Sequence, residues 1–156
     1  MRPILAFAAI AVLLCATASR LPAQNPSVGI WKLNVAKSQY IPGPAPKSMT
    51  RTVESAGDKV KYTFAGIAAD GSPISYSFTV AYDGKDYPIT GAAPAGADAI
   101  AITRSASGSS EAVLKKSGHP VLISQVKASD AKTTTILQTS APGTGSVKNT
   151  LVYEKQ

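Results

Sequence analysis

The stretch "DKVKYTFAGIAADGSPISYSFTVAYDGK", residues 58–85, alternates in twos. Val60, Tyr62 and Phe64 fall on one side, with Lys59, Lys61 and Thr63 on the other. Beyond Ala69-Asp70-Gly71-Ser72 the same rhythm puts Ile74, Tyr76, Phe78, Val80 and Tyr82 together, opposite Ser75, Ser77 and Thr79. A period of two sends successive side chains to opposite faces of a strand. One apolar face and one polar face mark an antiparallel strand with a core on one side and water on the other. Asp70-Gly71 and Asp83-Gly84 are hairpin dipeptides, because their residues tolerate the backbone of a tight turn.

The pattern spreads along the chain. It predicts ten strands, near residues 28–35, 48–55, 58–66, 73–82, 86–90, 98–104, 110–116, 120–128, 133–140 and 147–155. In the last of them Val147, Asn149, Leu151 and Tyr153 share a face. Loops fall by composition at Ala56-Gly57-Asp58, Ser107-Gly108-Ser109, Lys116-Ser117-Gly118-His119 and Pro142-Gly143-Thr144-Gly145. No amphipathic helix is predicted. "GAAPAGADA" is broken by proline and glycine, and Pro42, Pro44 and Pro46 exclude a helix over residues 36–47. Evenly spaced short strands without helices imply a sandwich or a barrel. The short hairpin connections favour an all-β, single antiparallel up-and-down barrel of about 8–10 strands, which leaves no free sheet edge.

The first 23 of the 156 residues read as a secretory leader: Arg2, an uncharged apolar run from Ile4 to Ala16, then small-residue cleavage sites at Ala16-Thr17-Ala18 and Leu21-Pro22-Ala23. The barrel domain would be residues 24–156, in a secreted or periplasmic protein with no membrane span in the mature form, since the apolar run is too short to span. Cys15 lies inside the leader, preceded by Leu14 rather than a small residue, so lipidation is not expected. The mature chain would then have no cysteine for a disulfide, a thiol nucleophile or a metal. The formal charge of +7 falls to +5 without Arg2 and Arg20. Basic residues are scattered with no aromatic platform, which argues against nucleic acid as a partner. A monomer is expected.

Chemistry-bearing residues are few. His119 is the single histidine, in a turn before Pro120. It has no second histidine for a metal site, and no Gly-x-Ser-x-Gly elbow accompanies it. Asp58, Asp70 and Asp83 belong to turns. No catalytic residue, metal site or cofactor is expected, and the chain is read as not an enzyme. Two arginines stand out. Arg51 shares a face with Met49 and Val53, and Arg104 follows Ile100 and Ile102 on theirs. An arginine facing an apolar interior is costly unless paired. It would meet a ligand carboxylate, reach water from a strand end, or stack on Trp31. Arg51, Tyr62, Phe64, Tyr76, Phe78 and Arg104 are the candidate ligand-binding residues, with Tyr82 and Tyr153 on the same interior.

Gly29-Ile30-Trp31 on the first strand resembles the Gly-x-Trp opening of lipocalins and their calycin relatives. That resemblance implies a tryptophan closing one end of the barrel, against a basic residue from the last strand. The terminal "LVYEK", residues 151–155, is similar to the last strand of fatty-acid-binding proteins. Their Arg-x-Tyr carboxylate site is absent, since Leu151 stands at the arginine's place, and the prolines of residues 36–47 replace their helical lid. "WKLNVAKSQYIPGPAPKS", "YDGKDYPITG" and "VYEKQ" also resemble a group of small secreted proteins of environmental bacteria, a likeness that brings no activity with it.

The leading expectation is a barrel that binds a small hydrophobic or amphipathic ligand inside. The alternatives are a solid-core structural or interaction module of the cell envelope, and an enzyme using His119.

Overall fold

The computed structural model describes residues 25–128 and 130–156. The stretch read as a leader, residues 1–23 with Cys15, lies outside them. Ten strands follow in order: β1 (Gly29–Leu33), β2 (Ser48–Ala56), β3 (Lys59–Ile67), β4 (Pro73–Val80), β5 (Asp83–Gly91), β6 (Ala99–Arg104), β7 (Ser110–Lys116), β8 (His119–Ala128), β9 (Thr133–Ser140) and β10 (Lys148–Lys155). Each pairs antiparallel with its sequence neighbours, and β10 returns to β1 to close the barrel. The fold is the all-β, up-and-down barrel that the alternation implies. Among the described residues no helix is long and apolar enough to cross a membrane.

Turn chemistry sets the register that the core needs. At the β3–β4 hairpin Ala68 N donates to Ser72 O, and the Asp70 carboxylate accepts from both the N and the Oγ of Ser72. Tyr62 therefore stands opposite Phe78, and Phe64 opposite Tyr76. A slip of one residue would turn all four rings outward. Gly66 lets β3 cross tightly over β2, since a Cβ there would lie 2.9 Å from the Met49 Cα.

The interior holds two packed clusters. One gathers Tyr76, Phe78, Val80, Ile100, Ile102, Ala112, Leu114 and Leu122. The other gathers Trp31, Leu33, Val53, Val60, Ile136, Leu151 and Tyr153. Tyr62 and Tyr82 pack against both. Outside, Lys115 meets Asp86 at 2.7 Å and Lys37 meets Glu154 at 2.9 Å. Such exposed pairs contribute little stability.

Some details differ from the sequence reading. Residues 36–47 are not wholly without helix: Val35–Lys37 makes one 3-10 turn, started by Asn34, whose side chain accepts from Lys37 N at 3.0 Å. Asparagine caps such a turn readily, and it ends well before Pro42. A second 3-10 turn spans Pro94–Gly96 within the stretch read as loop. Strand β4 stops at Val80, so Tyr82 reaches the interior from the turn rather than from the strand. His119 is the exposed first residue of β8.

Candidate ligand-binding cavity

A cavity of about 240 Å³ opens between the two clusters. All six candidates, Arg51, Tyr62, Phe64, Tyr76, Phe78 and Arg104, line it. The paired hairpin β3–β4 supplies an aromatic wall. The Phe64 and Tyr76 rings stack with centroids 4.5 Å apart and planes 9° from parallel. Tyr62 and Phe78 stack at 5.1 Å. Offset stacking of this kind adds about 0.5–1.5 kcal/mol beyond simple burial.

Arg51 is 4% exposed, in the register of Trp31 on one side and Phe64 on the other. Its guanidinium carbon lies 5.2 Å from the Trp31 ring centroid and 4.9 Å from that of Tyr153. Among the described residues no carboxylate pairs with it; the ion pairs found there are made by Lys37, Lys61, Lys85 and Lys115. Burial lowers its pKa, and the neighbouring tyrosines, Tyr153 first, oppose that shift. Desolvated cation–π contacts, each about 2 kcal/mol, offset part of the cost of burying the charge. The Trp31 ring also faces Lys155 of the last strand, whose Nζ is 5.3 Å from its centroid. The tryptophan Nε1 donates to Ser27 O at 2.8 Å. A basic residue of the last strand against the tryptophan, as the Gly-x-Trp opening implies, is thus present, and Arg51 adds a second cation.

Arg104 ends β6 with its side chain exposed, its guanidinium carbon 3.9 Å from the Tyr82 ring centroid. Because it lines the cavity and also meets water, the cavity reaches the surface at this end. Between the arginines, the hydroxyls of Tyr62 and Tyr82 share a hydrogen bond of 2.6 Å. The Tyr153 hydroxyl donates to Met49 Sδ at 2.9 Å.

Among the described residues, three buried polar atoms lack a hydrogen-bond partner: Tyr40 Oη, Arg51 Nε and Ser124 Oγ. Their residues all line this one cavity. Ser124 and Tyr40 were missed from the sequence. Ser124 alternates with Leu122 and Val126 and was legible as inward-facing. Tyr40 sits in the irregular segment before the prolines, where periodicity gives no direction. That segment is tied to β10 through Gln39, Ile41 and the Asn149 side chain, which fixes Tyr40 over the interior.

Burial pushes the Tyr40 hydroxyl up to about 12 and raises Tyr62, Tyr76 and Tyr153 as well. The folded pKa values therefore exceed the unfolded value of about 10. Below that value these groups stabilise the fold in full; the contribution is lost as pH rises through the folded values. We expect the melting temperature to hold to about pH 10 and to fall steeply from there towards the pH of about 12 at which Tyr40 ionises. Phenolate absorbance should rise together with unfolding. Ionisation of these tyrosines near the ordinary phenol value in protein that is still folded would contradict their burial.

No protein-family model and no curated protein matches the chain. A solved structure described as "The Siderocalin Ex-FABP functions through dual ligand specificities" is similar over 85% of this chain and 75% of that one, with 12% identity and a TM-score of 0.36. The assignment of the fold rests on the strand pairing above, independently of this likeness.

Proposed function

We propose that the chain is an exported, monomeric binding protein that holds one small amphipathic ligand inside the barrel. The observation that carries this reading is the interior cavity of about 240 Å³ with an aromatic wall and a few convergent polar groups. Pockets that take drug-sized molecules run to about 300–1,000 Å³, so this one suits a small ligand better than a long lipid. The apolar body would lie along Phe64, Tyr76, Tyr62 and Phe78, and an arginine would orient the polar end. A hollow interior argues against the solid-core module. His119 is not among the lining residues, which argues against its service in chemistry there. A monomer fits a closed sheet with no edge to extend.

The test is native mass spectrometry of the purified protein, with titration by an environment-sensitive apolar dye, on the wild type and on Ala112→Phe. Ala112 lines the cavity and is buried, so phenylalanine there would fill the space. One bound molecule per wild-type chain, lost in the variant, is the expected result. Dye binding equal in both proteins would place the ligand outside the barrel and refute the reading.

A further inference from the structure

We propose that the ligand is a small, planar aromatic monocarboxylate whose acid group sits on Arg51, with a second polar group reaching Ser124 across the barrel. This deepens the reading above and rests on it.

The first ground is the unpartnered polar set. Arg51 and Ser124 are 4% and 5% exposed, and both present a buried atom without a partner to the cavity, as Tyr40 does with its hydroxyl. Leaving such groups unmatched is unfavourable, so a cavity that keeps three of them favours a molecule that completes them. A guanidinium only donates, which calls for an acceptor. The guanidinium's planar fork matches a carboxylate with two parallel hydrogen bonds.

Charge chooses among anions. Arg51 carries a single positive charge with no acidic partner among the described residues. A monoanion neutralises it. A phosphate dianion would bury an excess negative charge beside the ring faces of Trp31 and Tyr153, which already address the cation. Arg104 does not compete well for the acid group. It is exposed, and attraction between charges weakens where water screens it.

Shape chooses the body. Arg51 stands in register with Phe64, whose ring stacks on Tyr76. A flat ring leaving the guanidinium thus meets a flat wall. Ser124 lies on β8, separated from β2 by β1, β10 and β9 in the ring of strands, hence on the far side of the lumen. A rigid ligand with a hydrogen-bonding group opposite its acid would touch both walls.

Calorimetric titrations with 4-hydroxycinnamate, its uncharged amide, cinnamate and octanoate test the assignment, on the wild type, Arg51→Met, Arg51→Lys and Ser124→Ala. Thermal melts of each variant establish folding. The wild type should bind one 4-hydroxycinnamate per chain, with the amide and octanoate at least about tenfold weaker. Arg51→Met should erase the preference for acid over amide while the amide still binds. Arg51→Lys, which keeps the charge but loses the planar fork, should weaken the acid several-fold, which preserves the test if the methionine variant does not fold. Ser124→Ala should remove the advantage of 4-hydroxycinnamate over cinnamate. Equal affinity for acid and amide, or an acid preference that survives Arg51→Met, would overturn the carboxylate site but leave the interior-binding reading standing. Octanoate binding as tightly as 4-hydroxycinnamate would overturn the aromatic assignment. No binding by any of the four, together with a dye signal indifferent to Ala112→Phe, would remove both.

Discussion

Alanine at Gly91 is expected to cost the barrel about 3 kcal/mol or more, since a strained backbone conformation and a collision add together. Gly91 has a φ of +94°, in the region that L side chains rarely adopt. It also stands opposite Tyr76, where β5 comes close to β4. A Cβ would lie 2.9 Å from the Tyr76 Cα and press on the Ser75 carbonyl, and neither is a flexible side-chain end that could step aside. Gly108 separates the two effects. Its φ is +80°, but a Cβ there would meet nothing within 4 Å. Alanine at Gly108 should therefore cost about 1–2 kcal/mol, the conformational part alone. Urea denaturation of both variants measures the difference. Equal losses would mean that the close approach of β5 to β4 is not a constraint.

The second large effect is at Trp31. Its replacement by alanine should cost about 3–5 kcal/mol, as large-to-small changes of buried aromatics do. The residue is 2% exposed and belongs to the cluster of Leu33, Val53 and Tyr153. Part of the loss is not packing. The ring faces Arg51 and Lys155, and without it a buried guanidinium loses one of its two aromatic partners. In a double-mutant cycle, Trp31→Ala combined with Arg51→Met should then cost less than the two single changes added, because methionine leaves no charge to strand. Strict additivity would show that the ring and the guanidinium are neighbours without energetic coupling.

Much of this was legible because barrel strands write their two faces into the chain. Tyr62, Phe64, Tyr76 and Phe78 could be assigned to one interior by counting in twos, and Asp70-Gly71 fixed where the direction reversed. Arg51 was legible as an inward charge by the same counting. Its stacking on Trp31 was one of several outcomes, since nothing local tells which ring of the opposite strand a guanidinium will meet. Tyr82 was assigned to a strand that ends at Val80, yet its hydroxyl still meets Tyr62, because a turn residue can face inward without belonging to the ladder. Tyr40 was illegible, as its direction comes from hydrogen bonds to β10 more than 100 residues away. Hollowness was illegible as well. It depends on how all ten walls stand around the lumen, and no single strand carries that information.

The pairing of β1 with β10 has a consequence for how the chain reaches its native state. Nine of the ten seams join consecutive strands and can zip locally, while the rungs Trp31↔Lys155, Lys32↔Glu154 and Leu33↔Tyr153 unite opposite ends of the domain. Until residues 148–155 pair, β1 and β9 remain raw borders able to recruit strands from other molecules. Contacts of such long sequence separation also form late. The final eight-residue strand is in effect a latch: the nascent polypeptide is sticky until it snaps shut, and inert towards its neighbours afterwards.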